Sequence, residues 1–316
     1  MNLTSPSQVK EWCLSNGFHP NKVLGQNFLI DRNALEAIVD AAELPAVETR
    51  PRVLEIGPGL GVLTEELLRR GATVTAIEKD PVLAARLAES LGNPSALSVT
   101  AGDALDCIKD GTCDDYPFLV SNLPYQAGTR ILLELIQRIE HAPETMVVLV
   151  QTEVADRLAA GPGSKTRGLA GVWAQLDYDV KTVRKVAASC FWPRPEIGSS
   201  VVKLTRHHRN DALAPEAREL FHRLTKQAFE HRRKQLGAIF KGVIESTARA
   251  EQLSYVEWRE LAQGRSSRAA REGPAPHPRR FRCSAKPRRQ SCSRRESHAH
   301  HPRASSACQA RAPSRG

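Results

Sequence analysis

The chain of 316 residues has seven cysteines (Cys13, Cys107, Cys113, Cys190, Cys283, Cys292 and Cys308), and no two of them form a C-x-x-C pair. The odd count and the missing pairs exclude a disulfide framework and a zinc-ribbon pattern, and no metal is expected. Long apolar runs are missing too. The strand-like run Met146–Val150 is five residues, far short of the roughly 20 needed to span a bilayer. The opening stretch, MNLTSPSQVKEW, lacks the basic-then-apolar pattern of a secretory signal. A cytoplasmic location without membrane contact is therefore expected. Hydrophobic residues make up 41%, within the ordinary globular range.

Excess charge is also missing from most of the chain, although the formal net charge is +10. Of the 45 Lys+Arg and 35 Asp+Glu, residues 265–316 hold 14 and 2, leaving 31 and 33 for the first 264 residues. The basicity belongs to the tail and is no argument that the rest binds nucleic acid. The tail is rich in Arg, Ser, Ala, Pro and His and nearly devoid of Leu, Ile and Val, so it is expected to be disordered. It reads either as an RNA-binding basic tail or as a non-native extension. The second is favoured, because the tail has no periodicity and begins mid-helix.

Before it, apolar runs alternate with amphipathic ones. Helices are expected at 5–16, with Ser5 or Ser7 as N-cap, and at about 31–42, with a loop from His19 to Phe28 between them. Strands are read at 52–56, 73–77, 97–100, 118–121 and 146–150, the last three as buried. Helical segments fall at 60–70, 81–91, 129–139 and 152–160. This alternation predicts an α/β fold with a mainly parallel, Rossmann-like sheet covered on both faces. Later strands at 179–186 and 200–204 flank a Pro-rich turn, Phe191-Trp-Pro-Arg-Pro-Glu196. From Pro215 the pattern is helical, at 216–229, 231–241 and about 255–261. The expected division is 1–206 as the main domain, 207–264 as a small helical domain and 265–316 as the tail.

Glycines 57, 59 and 61 directly follow the 52–56 strand and precede a helix, letting backbone approach a ligand at a helix N-terminus. The spacing is G-x-G-x-G rather than the dinucleotide-binding G-x-G-x-x-G, and position 62 is Val. Glu55, before the loop, suits a ligand with a cationic amino-acid moiety. Glu78 ends the next strand, where a carboxylate can accept hydrogen bonds from ribose hydroxyls; a solvated charge is the plainer alternative. Asp103 follows the third strand, where it can accept from an adenine amino group or simply cap a helix. In order, these three elements describe an adenosine-bearing ligand across the carboxyl ends of three strands.

The decisive motif is Ser121-Asn-Leu-Pro-Tyr125 after the fourth strand. An exocyclic adenine amine is a poor nucleophile, because its lone pair is delocalised into the ring. Acceptors on both N–H groups, the Asn122 side-chain carbonyl and the Leu123 backbone carbonyl, would draw the nitrogen towards tetrahedral geometry and aim its lone pair at a sulfonium methyl. Pro124 stiffens the turn and Tyr125 can stack on the base. Positioning and fixed dipoles would carry the catalysis. An Asn-x-Pro turn alone is a common strand ending; behind the glycine loop and two acids it reads as a site.

With these motifs in place the chain resembles the KsgA/RsmA family, the small-subunit rRNA adenine N6,N6-dimethyltransferases, over roughly residues 20–262. The resemblance runs through Leu24-Gly-Gln-Asn-Phe-Leu-Ile-Asp31, Glu55-Ile-Gly-Pro-Gly-Leu-Gly61, Ile77-Glu78, Gly102-Asp103 and Asn122-Leu-Pro-Tyr125. It continues in Gln151-Thr-Glu-Val-Ala-Asp-Arg157, Phe191-Trp-Pro-Arg-Pro195 and Phe229-Glu-His-Arg-Arg-Lys234. It implies that Asn27 and Leu29 close over S-adenosylmethionine, that Gly57, Glu78, Asp103 and Asn122 complete that site, and that Phe191 stacks on the target adenine opposite Tyr125. The implied substrate is a pair of adjacent adenines near the 3′ end of small-subunit rRNA, dimethylated by a monomeric enzyme in an assembling ribosomal particle. The chain departs from the family pattern at Gln126-Ala-Gly-Thr129, Arg167-Gly168 and Ile197-Gly-Ser-Ser200, all on the substrate side.

RNA contacts in a near-neutral body must come from local clusters. Candidates are Lys181/Arg184/Lys185, Arg206-His-His-Arg209 and His231-Arg-Arg-Lys234, the last read as cations on a helix; each could instead be a solvated face. The competing functions are a 23S-type rRNA adenine methyltransferase, a non-catalytic RNA-binding ribosome assembly factor, and a nicotinamide dehydrogenase. The FWPRP turn and long helical C-terminus disfavour the first. The intact Asn122, Tyr125 and Glu78 argue against the second, and the glycine spacing against the third.

Overall fold

A computed structural model describes residues 1–21 and 24–264; the tail discussed above lies outside the described residues. The chain runs α1 (Pro6–Ser15), β1 (Phe28–Leu29), α2 (Arg32–Ala41), β2 (Arg52–Ile56), α3 (Val62–Arg69), β3 (Thr73–Glu78), α4 (Pro81–Ser90), β4 (Leu97–Ala101), α5 (Ala104–Lys109), β5 (Phe118–Asn122), α6 (Gly128–Gln137), β6 (Thr145–Gln151), α7 (Thr152–Ala159), α8 (Leu169–Asp177), β7 (Tyr178–Val186), β8 (Phe191–Trp192), β9 (Ser199–Arg206), α9 (Pro215–Glu230), α10 (Leu236–Ile239) and α11 (Tyr255–Ala262). Local chemistry sets many of the boundaries. Asp31 caps α2 by accepting from the Ala34 N–H at 2.7 Å. Asp80 caps α4, which has Pro81 in its first turn, and Ser254 and Glu257 form a capping box on α11. Such caps contribute about 1 kcal/mol each.

Seven strands form one sheet in the order β4-β3-β2-β5-β6-β9-β7. The first five are parallel, and β9 and β7 add antiparallel strands at the far side. One face of the sheet packs Leu119, Met146, Val148 and Val202 against α5, α6, α7 and α8. The other packs Val53, Val74, Val120 and Val147 against α2, α3 and α4. This is the Rossmann-like α/β arrangement expected. The 97–100 strand was expected to be buried, but β4 forms the sheet edge with no fully buried residue.

Helix α8 was not anticipated. Its Gly171, Val172, Trp173, Ala174, Leu176 and Asp177 are all buried, so it has no polar face to generate a 3.6-residue pattern. It serves two cores at once. Ala174 joins the sheet core, while Val172, Trp173 and Leu176 join Phe221, Leu236 and Trp258 of the C-terminal helices. Trp173 Nε1–H donates to Thr225 Oγ1 at 2.8 Å, and Arg218 pairs with the buried Asp177.

The helix expected over 231–241 is reduced to α10. Residues 231–234 form a turn, so those cations do not share a helix face. α9 stops at Glu230, and the Arg232 guanidinium donates to the carbonyls of Lys165 and Arg167. Gln235 then bridges to Arg249, which straightens the chain where the helix was expected to continue.

At Gly171 the backbone of α8 lies close against that of α7. A Cβ there would stand 2.3 Å from the Arg157 carbonyl oxygen and 3.1 Å from that of Leu158, and backbone cannot swing aside. Gly171→Ala is therefore expected to cost about 3 kcal/mol, at the upper end of overpacking, and to lower the melting temperature by several degrees. A melting curve that overlays the parent's would refute this close packing.

Candidate active site

The parallel pairing sends the carboxyl ends of β2, β3, β4 and β5 to one edge of the sheet. From β2 the chain builds β3 and β4 on one side and β5 on the other, so the crevice at the β2–β5 boundary is a topological switch point. The two strands pair only at Val53–Phe118 and Leu54–Leu119. Beyond that they splay, and the buried Ser121 hydroxyl bridges the gap by donating to the Ile56 carbonyl at 2.5 Å.

The glycine loop turns tightly over this crevice. Gly57, Gly59 and Gly61 have φ of 71°, 61° and 90°, a region that side-chain-bearing residues rarely occupy. At Gly61 a Cβ would also lie 2.6 Å from Leu87 Cδ1. The loop, the strand ends and the N-terminal segment line an open cavity at the carboxyl edge of the sheet, where ligands of parallel α/β sheets bind. Asn27, Leu29, Gly57, Glu78, Asp103, Asn122, Leu123, Pro124 and Tyr125 all line it. Phe191 does not line it.

The charged groups around the cavity are mostly acids. Glu78 is buried and accepts from the Gly59 N–H at 3.0 Å and the Asp80 N–H at 2.9 Å. Burial pushes its carboxyl above the usual range, against those hydrogen bonds. Asp103 caps α5 through Leu105 N–H at 2.9 Å and pairs with Lys79 at 2.8 Å. The hydrogen bond from Lys79 holds its carboxyl low. Both plainer readings are thus visible for Asp103, the cap and the paired charge, yet the residue still faces the cavity.

Glu55 is fully buried, and desolvation pushes its carboxyl up to about 8, although Thr64 donates to it at 2.7 Å. A cation beside Glu55 would draw that value down again. Among the described charged residues that line it, Lys79 is basic and Glu55, Glu78 and Asp103 are acidic. Such a wall repels a pyrophosphate and suits a ligand with a cationic end and hydroxyls.

Asn122 closes the crevice. Its Nδ2 donates to the Asn27 carbonyl at 3.2 Å, which fixes which side of the amide is oxygen. Its Oδ1 is buried with no hydrogen-bond partner among the described residues. A buried acceptor left unpaired costs about 1–3 kcal/mol, a cost a donor arriving in the cavity would remove. Beyond it, the Pro124 carbonyl accepts from Ala127 and Gly128 at 3.1 and 2.7 Å, which locks the turn into α6. The Tyr125 hydroxyl bonds the Ser199 Oγ at 2.6 Å.

The Tyr125 and Phe191 rings, expected to stack on a base from opposite sides, lie next to one another. The two rings meet edge to face, with centroids 6.5 Å apart and planes at 73°. Phe191 is buried, because its strand β8 pairs with β1 and its ring joins the core above Leu29 and Val201.

The N-terminal segment does more than its sequence suggested. β1 and β8 pair antiparallel, Phe28 opposite Trp192 and Leu29 opposite Phe191, and the Phe28 and Trp192 rings stack at 6.4 Å. This ribbon ties the expected cofactor loop to the expected substrate-side turn. Gly25 runs against Tyr125, a Cβ there lying 3.4 Å from the Tyr125 nitrogen. Leu3 reaches the cavity from beyond α1, and Val9, Cys13 and Phe18 pack it onto Leu60 and Leu83. Nothing in the spacing of residues 1–16 signals that role. Of the cation clusters, Arg206–Arg209 is largely neutralised within the chain. Arg206 pairs with Glu144 and Asp211, His208 with the same two acids, and Arg209 with Asp179. It therefore offers little free charge to RNA.

Comparison with known proteins agrees with this geometry. Residues 17–262 match the model of the family described as "Ribosomal RNA adenine dimethylase". The chain is 37% identical over 290 residues to the "Ribosomal RNA small subunit methyltransferase A" of Bifidobacterium longum subsp. infantis, covering 83% of this chain and 93% of that protein. It is 42% identical to the protein of the same name from Deinococcus radiodurans, covering 74% and 76%. Among solved structures, a dimethyladenosine transferase from Plasmodium falciparum superposes with a TM-score of 0.64 at 23% identity, over 74% of this chain and 95% of that one. The 23S rRNA methyltransferase ErmE superposes with a TM-score of 0.58 at 25% identity, over 75% and 98%.

The buried Glu55 yields a pH test. Its folded-state value of about 8 lies above the ordinary 4.5, so between those values the folded chain holds a proton that the unfolded chain has lost. Its contribution is complete below the unfolded value and is lost as pH rises towards 8. Glu55→Gln, which mimics the protonated acid, is expected to melt higher than the parent at pH 8, by about 2 °C or more. The advantage should vanish near pH 4.5. Equal differences at both ends, measured by thermal melts across this range without ligand, would show that Glu55 ionises normally.

Proposed function

The chain belongs to the ribosomal RNA adenine dimethylase family, and on that footing we propose that it dimethylates N6 of two adjacent adenines near the 3′ end of small-subunit rRNA. It is an S-adenosylmethionine-dependent rRNA methyltransferase, with the described residues presenting no metal-binding cluster. S-adenosylmethionine supplies an electrophilic methyl group on a sulfonium. The residues of this chain do the rest. Glu78 takes the ribose hydroxyls, Asp103 the adenine amino group, and Glu55 the cationic amino-acid end. The bent backbone of Gly57 and the strap residues Asn27 and Leu29 enclose the ligand.

The observation that carries the reading is the orphaned Asn122 Oδ1, a buried acceptor at the end of β5. An adenine amine placed there donates one N–H to Oδ1 and the other to the Leu123 carbonyl. Its lone pair, shared with the ring π system while the amine is planar, would then be localised on the nitrogen and attack the methyl as the S–CH3 bond breaks, leaving S-adenosylhomocysteine. The nitrogen sheds a proton to solvent. With a second S-adenosylmethionine in place of the spent one, rotation about the exocyclic C–N bond would present the remaining N–H for the second transfer. Pro124 fixes the turn, and Tyr125, tethered by Ser199, offers its ring to the base. Phe191 supports Tyr125 from its edge and reaches the base only if its side chain turns.

The setting follows from the substrate. The proposed enzyme acts as a monomer in the cytoplasm, on an assembling ribosomal particle. Residues 207–264 are proposed as a small helical domain that packs on α8 of the methyltransferase domain 1–206. No helix among the described residues is long and apolar enough to cross a membrane.

The test is methyl transfer from labelled S-adenosylmethionine to undermethylated small subunits, with naked small-subunit rRNA and 23S rRNA in parallel. N6,N6-dimethyladenosine mapped to two adjacent small-subunit adenines is the expected product. Label on 23S rRNA alone would move the chain to the ErmE-like activity, and cofactor binding without transfer to any acceptor would make it an assembly factor. Asn122→Ala should lower kcat at least about 100-fold, the scale of a lost preorganised polar contact, while S-adenosylhomocysteine still raises the melting temperature. Parent-like turnover by that variant would remove Asn122 from the mechanism.

A further inference from the structure

Strand β7 is the outer edge of the sheet, and it carries an irregularity. Lys181 pairs with Lys203 and Thr182 with Val202, but the next pair is Arg184 with Val201, leaving Val183 as an extra residue. In a regular strand Lys181 and Arg184, three residues apart, would point to opposite faces. The bulge inverts the alternation after Thr182. Val201 packs in the core layer that holds Leu29, Val186 and Phe191, whereas Val202 packs in the opposite layer. Lys203 and Val201 share a face, so their partners Lys181 and Arg184 share it too. Lys185, opposite Ser200, points the other way.

The shared face is the one that carries the β1–β8 ribbon. Arg184 confirms its direction by donating to the Asn33 carbonyl, at the start of α2 just beyond β1, at 3.3 Å. Both cations are exposed. Lys181 interacts weakly with Glu43, whose carboxylate is engaged by Lys203 at 2.7 Å. Neither Lys181 nor Arg184 has an ion-pair partner within 4 Å among the described residues, unlike the Arg206–Arg209 cluster. Charges on a sheet edge also deter edge-to-edge pairing, but that purpose is served on either face and requires no bulge.

We propose that the bulged edge of β7 is a phosphate-contacting face, in which Lys181 and Arg184 together hold the backbone of the RNA substrate beside the ribbon that carries Phe191. This rests on the reading of the chain as an rRNA methyltransferase and adds the surface that positions the RNA. Contacts of this kind set register and orientation and read no base. They release counterions, so they are visible in the salt dependence of binding.

The experiment is binding of labelled small-subunit rRNA to the full chain across a series of salt concentrations. The parent is compared with Lys181→Gln, Arg184→Gln, the double variant and Lys185→Gln. Each of the first two should reduce the slope of log K against log salt by about 0.7–0.9, and the double variant by about twice that. Affinity of the double variant should fall tenfold or more at moderate salt, with melting temperature and S-adenosylhomocysteine affinity unchanged. Lys185→Gln removes the same charge from the opposite face and should leave the slope at the parent value. An unchanged slope in the double variant, or an equal drop in Lys185→Gln, overturns the proposal. Methyl transfer by the parent is scored separately. A parent that binds through this face and methylates nothing disproves the activity, and a parent that methylates with the double variant unaffected disproves only the face.

Discussion

Strand β2 is paired in parallel on both sides, to β3 and to β5, while the chain itself leaves it in only one direction. That topology forces a crevice at the carboxyl edge, because the β2–α3 and β5–α6 connections must depart to opposite sides. The brief β2–β5 ladder widens the crevice, and the Ser121–Ile56 hydrogen bond keeps it from separating further. Glu78, Asp103 and Asn122 reach a common cavity only because each ends, or directly follows, a strand of this parallel set.

Within that frame the electrostatics select the chemistry. Three acids and one lysine line a partly desolvated cavity. Burial raises both Glu55 and Glu78, so the site holds its negative charge reluctantly until something positive or hydrogen-bonding arrives. Of the described lining residues, the one lysine, Lys79, is already committed to Asp103. The amide oxygen of Asn122 adds a neutral acceptor that remains unpaired. Neutral acceptors suit an amine that needs its electrons localised rather than its proton removed by a strong base.

The β1–β8 ribbon joins the two halves of the site. Leu29 faces the cavity, and its strand partner Phe191 meets Tyr125. The N-terminal segment and the aromatic pair are thereby tied to one another, and the bulge in β7 turns Arg184 towards the same ribbon. The departures from the family pattern stand in different relations to this assembly. Ser199, in the altered Ile197–Ser200 stretch, anchors Tyr125. Arg167 is buried and bonds the Ala160 carbonyl and the Gln175 side chain at the α7–α8 junction, away from the cavity-lining residues.

Much of this was legible beforehand, for physical reasons that differ by element. The sequence by itself determined the alternation of strands and helices, because apolar period and capping residues such as Asp31 and Asp80 act locally. It also placed the polar groups of the cavity, because glycine spacing and strand-ending acids fix where such groups emerge from a parallel sheet. Only the tertiary structure decided what depends on which surfaces meet. Helix α8 is buried all round and so carries no periodic signal, and the 231–241 helix gave way to a turn once Arg232 found carbonyls 65 and 67 residues away in the chain. The burial of Phe191, the contribution of Leu3 and the shared face of Lys181 and Arg184 were settled the same way. Each follows from strand register or from packing between segments distant in sequence, and no local pattern encodes either.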